Sequence, residues 1–563
     1  MSAPRDPDRA FFGHPAGLST LFFTEMWERF SYYGMRAFLI FYMVGTVEHG
    51  GRGMSDGASG IVYALYVSSV YMLSLPGGWI ADRFLGQRRA VTFGGVGIML
   101  GNVLLALPID GTFYPGLAVI ALGTGLLKPN VSTLVGQLYK PSDIRRDAGF
   151  TIYYMGINIG AFVAPLGCGF LAQSQTFRDF LAGHGIDPQL CWHIAFGAAA
   201  IGMGAGLIQY LAGSARLGAA GLHPTIPTDQ RVAARDRGIL VGILSALGAL
   251  AVGAAVLTFM HVEVSKDLIG NVFGIGLLIG AVVLFVGMIG SARDAAEKKR
   301  IIAMIPLFLG GVAFFAAFEQ AGSTLNIFAE RCVRQVMPAS YFQAINSTFI
   351  LFLAPVFAGL WLFLARARKE PSSVNKFAIG MVLTAAAFIV LLPAIGSITE
   401  IVSTSDTLAK AGATPATIES AITPLRVSPV FLIALYFFQT TSELCISPVG
   451  LSSMSKLAPT RMAGMVMGTW FLATAIGNYL AGRAAGFTES RGFAFLFYTL
   501  IIGSLAVAAA LFAVAPFIKK MMGDGNSHDT DSTGAAEKPA DEPPAAPLPV
   551  ATVAKIGDAL ERD

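Results

Sequence analysis

Four ionisable side chains lie within twelve residues of an otherwise apolar and aromatic stretch near the start of the chain. They are Glu25, Glu28, Arg29 and Arg36. At about 100° per residue of helix, they share an arc of roughly 140° with Tyr32 and Tyr33, while apolar residues take the other side. Because each charge at the centre of a membrane helix costs about 2.5–3.5 kcal/mol, four of them facing lipid would cost on the order of 10 kcal/mol. The stripe must therefore face a protein interior or a water-filled cavity.

Two interpretations of this stripe stay open from the residues alone. Glu25 and Arg29 are four residues apart and can pair on a helix, so the stripe could be a structural ion pair that locks the helix to its neighbours. Ionisable residues inside membrane helices more often mark a substrate pathway or a proton relay. We favour a substrate or proton site.

Polar residues interrupt other apolar stretches as well. Lys128 lies near the middle of one stretch and precedes Pro129, which leaves the carbonyl of Gly125 without its helical hydrogen bond. Glu319 and Glu443 lie within two stretches of the second half. Two asparagines are weaker candidates, because an asparagine often only joins a membrane helix to its neighbour: Asn158 and Asn346.

The deep charges differ in sign between the two halves of the chain. In the first half, Arg29, Arg36 and Lys128 exceed the two glutamates by one charge, whereas the second half holds only Glu319 and Glu443. A zwitterion with a carboxylate at one end and an ammonium at the other would fit between the halves. Its carboxylate would lie toward Arg36 and Lys128, and its amine toward Glu443.

The composition predicts a polytopic membrane protein. The 563-residue chain is 54% hydrophobic and 13% charged, against about 25% charged in soluble domains. Its net charge of +4 indicates no nucleic-acid surface. The cysteines have no metal-ligand spacing, so we interpret them as apolar packing residues: Cys168, Cys191, Cys332 and Cys445. The polar N-terminal sequence predicts no cleavable signal, and no nucleophile–base pair, metal cluster or phosphate loop suggests an enzyme.

A membrane helix needs about 20 mostly apolar residues, and fourteen stretches meet this requirement. They are 18–45, 58–81, 90–108, 113–138, 148–172, 191–212, 237–259, 268–290, 301–329, 341–365, 375–395, 428–455, 462–483 and 493–518. Loops on the side of the N-terminus carry 20 lysines and arginines, and loops on the other side carry 8. Since basic loops stay in the cytoplasm, both termini are expected there.

The organisation that follows is an all-α polytopic membrane protein with two six-helix bundles and an inserted two-helix hairpin. We expect a cytoplasmic N-terminus (1–17), an N-terminal bundle (18–213) and a linker with the hairpin (214–299). A C-terminal bundle (300–519) and a disordered cytoplasmic tail (520–563) complete the chain. The tail is polar, acidic and rich in proline and alanine, so it cannot bury a core.

Several motifs resemble those of the proton-dependent oligopeptide transporter family. "EMWERFSYYG" is similar to that family's E-x-x-E-R-F-x-Y-Y-G motif, and "FTIYYMGINIG" resembles its fifth-span signature. "GLLKPN", "FEQAGSTLN", "SELCISPVGLS" and "MGTWFLATAIGNYLAG" match in type and order. "GGWIADRFLGQRR" resembles the loop motif of the wider major facilitator superfamily. The resemblance covers roughly residues 18–518, and it implies the major facilitator fold with fourteen helices, as in bacterial members.

The resemblance also implies roles for individual residues. The implied proton-coupling residues are Glu25, Glu28, Arg29, Lys128 and Glu443. Arg36 and Lys128 resemble binders of the peptide carboxylate, and Glu443 resembles both the amine acceptor and the partner of Lys128 across the cavity. The remaining implied substrate-binding residues are Tyr32, Tyr33, Tyr71, Asn158, Glu319, Asn346, Ser447 and Trp470. Two departures from the family pattern affect the pocket: Phe315 stands where many members have a tryptophan, and Ser347 where a proline is common.

The predicted function is proton-coupled import of di- and tripeptides across the bacterial inner membrane by alternating access. We expect no cofactor beyond the proton gradient, no metal, and no partner other than peptides, protons and the lipid bilayer, with the protein monomeric or weakly oligomeric. Three alternatives stay open. The substrate could be nitrate or another small solute, the protein could export drugs, or it could bind peptides as a receptor without moving them.

Overall fold

The computed structural model describes residues 7–140, 143–225, 229–259, 265–457 and 462–523. Within these ranges the chain is almost entirely helical and forms no β-strand. Residues 520–523 of the predicted tail continue the last helix, and the rest of that tail lies outside the described residues.

The described ranges form α-helices that we number in chain order. They are α1 (Ala16–Val44), α2 (Asp56–Ile80), α3 (Gln87–Ala106), α4 (Phe113–Gln137), α5 (Arg146–Gln173), α6 (Gln175–Gly183), α7 (Cys191–Gly213), α8 (Gln230–Phe259), α9 (Lys266–Gly290), α10 (Ala295–Phe318), α11 (Thr324–Cys332), α12 (Phe342–Arg366), α13 (Ser373–Ile389), α14 (Ile395–Lys410), α15 (Pro415–Ile422), α16 (Pro429–Leu457) and α17 (Ala463–Gly523).

The fourteen predicted spans correspond in order to α1–α5, α7–α10, α12, α13, α16 and the two halves of α17. Eleven helical segments of the described ranges are long and apolar enough to cross a membrane. The all-helical class is therefore confirmed. The short helices α6 and α15 lie where the sequence suggested loops. The last two predicted spans are separated as expected, because the non-helical backbone of Gly492 (φ 80°, ψ 167°) divides α17 into two helices within the predicted loop.

The predicted span 301–329 is broken. Its helix α10 ends at Phe318, Glu319–Gly322 form a 3-10 turn, and α11 resumes at Thr324. At the break the backbone approaches the first half of the chain so closely that a Cβ on Gly322 would contact the Arg36 guanidinium at 2.7 Å. The break thus brings Glu319 against α1.

Glycines let the helices of the first bundle, α1–α7, approach one another closely. A Cβ on Gly94 of α3 would lie 2.6 Å from the carbonyl oxygen of Gly123 on α4. A Cβ on Gly160 of α5 would lie 2.8 Å from the Cβ of Arg29 on α1. This small-residue packing is the usual way in which membrane helices gain contact, since lipid is as apolar as the side chains themselves.

Helices α10–α17 form the second bundle, which meets the first along α2 and α17. Gly60 and Gly482 face each other there, and the Ser68 hydroxyl donates to the carbonyl of Ala475 at 2.8 Å. We call the side where α1 begins and α2 ends the terminus face, and the side where α1 ends and α2 begins the opposite face.

Polar contacts join the two bundles on the side of the opposite face. They pair Arg36 with Glu319, Asp56 with Arg331, Gly57 with Glu489, Gln173 with Ser340, and Ala37 with both Asn326 and Gln343. Toward the terminus face the interior is accessible: Tyr154 of α5 interacts electrostatically with Tyr33 and Glu443 and is nevertheless 44% exposed. Among the described residues, the space between the bundles is therefore closed by polar contacts at the opposite face, and Tyr154 is accessible on the side of the terminus face.

The hairpin α8–α9 lies at the side of the bundles, where α9 packs against α2 and α17 and α8 is held near its start by Asp236, 3.5 Å from Arg83. Tyr479 of α17 donates to the carbonyl of Gly270 at 2.9 Å, and Arg483 pairs with Asp267 at 2.8 Å. On α8, by contrast, Gly238 and Gly242 have no atom within 4 Å of a built Cβ. The linker before the hairpin is held differently, because Arg88 of α3 donates to the carbonyls of Gly218 and Ala220.

Candidate functional site

The charged stripe of α1 is buried against α5. Glu25 is 1% exposed and Arg29 is 7% exposed. Arg29 donates to Glu25 Oε1 from Nε at 2.8 Å and pairs through Nη2 at 2.7 Å, and its Nε also lies 3.2 Å from Glu28 Oε2. The Tyr153 hydroxyl of α5 donates to Glu25 Oε2 at 2.6 Å. As predicted, the stripe faces protein, and one guanidinium serves two carboxylates.

Lys128 stands beside this cluster on α4. Its Nζ lies 3.8 Å from the centre of the Tyr71 ring of α2, which is a cation–π contact. It also interacts electrostatically with Glu25, Glu28 and Arg29. None of the ion pairs found within 4.0 Å in the described ranges includes Lys128.

Arg36 links the two bundles about two helical turns after Arg29 on α1. Its guanidinium bonds the Tyr63 hydroxyl of α2 at 2.7 Å and forms a short ion pair with Glu319 at the break after α10. Both Arg36 and Glu319 are buried, at 6% and 3% exposure. Because breaking a buried pair leaves an uncompensated charge, this contact holds the opposite face closed.

Glu443 occupies the second bundle together with Asn346. The Asn346 amide donates to Glu443 Oε2 at 3.2 Å and to the Thr440 hydroxyl at 3.0 Å, so α12 and α16 are joined at this point. The predicted pairing of Glu443 with Lys128 is absent from this conformation among the described contacts, and it stays a prediction for another state.

The remaining predicted residues fall into two groups. Tyr33 and Tyr71 lie within electrostatic range of Arg29, Arg36 and Glu319 and therefore stand between the charge clusters. Other predicted lining residues are held by their own bundle. Asn158 donates to the Tyr154 carbonyl of its own helix, and Tyr32 is 4% exposed.

Two aromatic positions shape the second bundle. Trp470 packs edge-on against Phe315 with ring centres 5.6 Å apart, and it is 7% exposed. The smaller Phe315 thus contacts the predicted lining residue Trp470 edge-on. Ser347 lies within α12 with the helix unbroken from Phe342 to Arg366, and Ser447 is half-buried one residue before Pro448.

Sequence reasoning missed three partners that the fold supplies. They are Tyr63, Tyr153 and Thr440. A tyrosine or threonine in a membrane helix is ordinary, so only the position of Tyr153 inside the quoted "FTIYYMGINIG" motif could have drawn attention to it. The four cysteines are free and buried, and no group of potential metal ligands was found among the described residues.

An N-terminal latch, residues 7–14, covers the terminus face of the first bundle. Arg145 at the start of α5 donates to the backbone carbonyls of Asp8 and Gly13, and it pairs with the Asp8 carboxylate at 2.9 Å. His14 Nδ1 lies 2.9 Å from the Tyr139 hydroxyl. Burial lowers the pKa of His14 and raises the pKa of Tyr139 to about 12, so the tyrosine keeps its proton and can donate to a neutral imidazole.

The sequence matches the profile of the POT family over residues 88–499. It is 35% identical to the peptide transporter YePEPT of Yersinia enterocolitica, over 93% of this chain and 98% of the relative. It is also 34% identical to a di-/tripeptide transporter of Lactococcus lactis, over 92% of this chain and 98% of that one.

The fold is also similar to that of a solved structure. A crystal structure of the peptide transporter POT in complex with sulfate superposes with a TM-score of 0.78 and 37% sequence identity. The match covers 92% of this chain and 97% of that chain.

Proposed function

The chain belongs to the POT family of membrane transporters, and on that premise we propose that it imports di- and tripeptides together with protons. It is a transporter rather than an enzyme. The observation that carries the substrate assignment is the separation of charge between the bundles. Arg36 and Lys128 lie in the first bundle, and Glu443 with Asn346 lies in the second.

A peptide fits this separation of charge because its two ends are oppositely charged. The carboxylate would contact Arg36 and Lys128, and the ammonium would contact Glu443. Tyr33 and Tyr71, between the clusters, would contact the peptide backbone. Asn158, Ser447 and Trp470 resemble positions that line the substrate pocket in the family. This resemblance supports their placement beside the side chains of the bound peptide.

The orientation follows from the loop charges. The terminus face carries 20 basic residues against 8 at the opposite face, so it is assigned to the cytoplasm of a bacterial inner membrane, with both termini there. The described conformation then faces inward, since the opposite face is closed by Arg36 and Glu319. Alternating access requires that this pair separate when the protein opens outward.

The proton supplies the driving force. One proton that crosses 100 mV contributes about 2.3 kcal/mol, which is enough to concentrate a peptide severalfold. The cluster of Glu25, Glu28 and Arg29 supports the coupling role, because two buried carboxylates share one guanidinium. A proton on one carboxylate would leave the Arg29 guanidinium with a single anionic partner.

Uptake of labelled dialanine into proteoliposomes tests the proposal. An inward-directed proton gradient should drive accumulation above the external concentration, and collapse of the gradient should abolish it. Nitrate uptake without dialanine uptake would indicate the small-solute alternative. Export of drugs would indicate an exporter, and dialanine binding without any flux would indicate a receptor.

A further inference from the structure

The Tyr153 hydroxyl makes a contact to which the coupling scheme above assigns no role. It donates to Glu25 Oε2 at 2.6 Å, and both side chains are buried, at 6% and 1% exposure. A hydroxyl on a carboxylate stabilises the ionised form of that carboxylate, because the donor interacts more strongly with a negative charge than with a neutral acid.

The packing of α5 on α1 fixes the position of this hydroxyl. Gly160 meets α1 at the Cβ of Arg29, and a Cβ on Gly156 would lie 2.9 Å from the Phe22 carbonyl oxygen. The two glycines are four residues apart on one face of α5, and Tyr153 lies one turn before them. The backbones therefore approach closely at the height of Glu25, which leaves the ring little freedom to move.

The two carboxylates of the cluster are held very differently. Glu25 accepts from Arg29 on Oε1 at 2.8 Å and from Tyr153 on Oε2, so both of its oxygens are bonded. Glu28 is fully buried, and neither of its oxygens accepts a hydrogen bond from a described residue. Its nearest cation is Arg29 Nε at 3.2 Å, which is already bonded to Glu25.

We propose that Tyr153 is a positioning residue that keeps Glu25 as the permanent anionic partner of Arg29 and thereby leaves Glu28 to carry the coupling proton. This inference rests on the proposed proton-coupled function. One proton from the outer solution binds the Glu28 carboxylate and makes it neutral, and release to the cytoplasm restores the anion. Glu25 keeps its charge in both steps.

The other ionisable groups around the cluster come from five elements. They are Tyr33 of α1, Tyr66 and Tyr71 of α2, Lys128 of α4, Tyr154 of α5 and Glu319 after α10. Lys128 interacts electrostatically with both carboxylates, so it does not determine which of the two binds the proton. Tyr153 is the side chain that bonds one carboxylate alone, so its removal tests the asymmetry.

The matched variants are Tyr153→Phe and Tyr210→Phe, which each remove one buried hydroxyl from the first bundle. In Tyr153→Phe, Glu25 competes for the proton. The pH at which gradient-driven dialanine uptake falls to half its maximum should then move upward by about one unit, and uphill accumulation should fall severalfold. Counterflow of dialanine between equal pools at one pH should stay within about twofold of wild type. Tyr210→Phe should change neither the pH of half-maximal uptake nor the uphill accumulation. An equal shift of that pH in both variants would overturn the inference.

Infrared titration of the purified protein separates this inference from the proposed function, because it needs no transport. The C=O band of a protonated carboxyl should titrate in wild type, be lost in Glu28→Gln and persist in Glu25→Gln. The single variant Tyr153→Phe should show a second titrating band, from Glu25. The double variant Glu25→Gln/Tyr153→Phe should not show this second band. A band that persists in Glu28→Gln and is lost in Glu25→Gln would reverse the assignment. The two glutamine variants decide the matter even if Tyr153→Phe fails to fold. If wild type takes up no dialanine, the proposed function fails and the infrared result still stands.

Discussion

At the scale of single residues, Glu443 is held from one side only. Asn346 donates to one of its oxygens at 3.2 Å, and no described residue donates to the other oxygen, which can therefore meet a ligand. We expect Glu443→Gln to weaken binding of free dialanine by roughly 10-fold to 100-fold, because a charge-assisted hydrogen bond contributes about 1.5–3 kcal/mol. N-acetylated dialanine lacks the ammonium and should lose less than about threefold. Equilibrium binding of both ligands provides the measurement, and equal losses would remove the amine-acceptor role from Glu443.

Lys128 contacts an aromatic ring in this conformation and not Glu443. Its Nζ lies 3.8 Å from the centre of the Tyr71 ring. The changes Lys128→Ala and Glu443→Gln should therefore destabilise the purified inward-facing protein additively, within about 0.5 kcal/mol. Chemical unfolding of both single variants and the double variant measures this. A coupling above about 1 kcal/mol would mean that the two charges meet in the state that unfolds.

The sequence identified which charged side chains are buried, but it did not identify the side chains that bond them. Glu25, Arg29 and Arg36 could be named because a charge in an apolar stretch is costly and therefore informative. Tyr63 and Tyr153 bond these charges directly, yet tyrosines are common in membrane helices and carry no such cost. Which tyrosine reaches which charge depends on how the helices pack.

At the scale of helices, one ion pair joins the start of α2 to α11 across the opposite face. Arg331 donates to Asp56 through both Nη atoms, at 2.6 and 2.8 Å. Asp56→Arg or Arg331→Asp alone should replace attraction by repulsion and increase the outward-open population. The double variant with the charges exchanged should restore the closed state. Spin labels at Val47 and Val336, exposed residues of opposite bundles at this face, would report the distance.

The control for this exchange lies at the same face. Arg52 and Asp110 pair at 3.4 Å within the first bundle, so Arg52→Asp should leave the distance between the labels unchanged. If all three single variants lengthen the distance alike, general loss of charge balance at the face, and not the α2–α11 pair, controls closure.

The latch at the terminus face should depend on pH. Because burial lowers the pKa of His14, the folded latch binds fewer protons than the unfolded segment. Its stability is therefore complete above the ordinary histidine pKa of about 6.5 and declines as the pH falls below it. Hydrogen exchange of residues 9–14, corrected for intrinsic rates, should show less protection at pH 5.5 than at pH 7.5.

The variant His14→Asn isolates the titration from the contact. Asparagine keeps an acceptor for the Tyr139 hydroxyl and has no proton to gain. The protection of residues 9–14 from hydrogen exchange in this variant should therefore be equal at the two pH values. If His14→Asn loses protection at pH 5.5 as wild type does, the titrating group lies elsewhere, with Asp8 and Asp143 as the nearby carboxylates.

Element positions were predictable because apolar length sets the number of membrane helices. The break after α10 could not be predicted, since no proline lies at Glu319 to indicate it. The helix ends there because Gly322 packs against Arg36 and Tyr63 of the other bundle, a contact between residues almost 300 positions apart. The break of α17 at Gly492 was predictable, because it lies in the polar stretch between the last two apolar segments.

At the scale of the whole molecule, the hairpin and its linker make different kinds of contact. Helix α9 buries apolar side chains such as Phe285, which packs edge-on against Phe308 with ring centres 5.2 Å apart. Lipid can replace such contacts at little cost, because lipid tails are as apolar as the side chains. The ion pair of Asp267 with Arg483 is partly exposed, and exposed pairs contribute little. The linker instead satisfies charged groups: Arg88 bonds two of its carbonyls, and Arg83 lies 3.5 Å from the buried Asp236 at the start of α8.

Two deletions test whether the molecule needs the linker more than the hairpin. Replacing residues 238–292 by a flexible Gly/Ser segment removes both membrane helices and keeps the groups that bond Arg83 and Arg88. Since the number of removed spans is even, the second bundle keeps its orientation, and dialanine uptake should stay within about threefold of wild type. Replacing residues 214–292 also removes Gly218, Ala220 and Asp236. Both deletions remove Asp267, the partner of Arg483, but only the longer one also takes these partners from Arg83 and Arg88, so it should lower the melting temperature further and impair uptake. Uptake and detergent melting of both variants are the measurements. Loss of transport in the shorter deletion would give the hairpin a part in the transport cycle, and equal behaviour of the two variants would show that the linker contacts contribute nothing measurable.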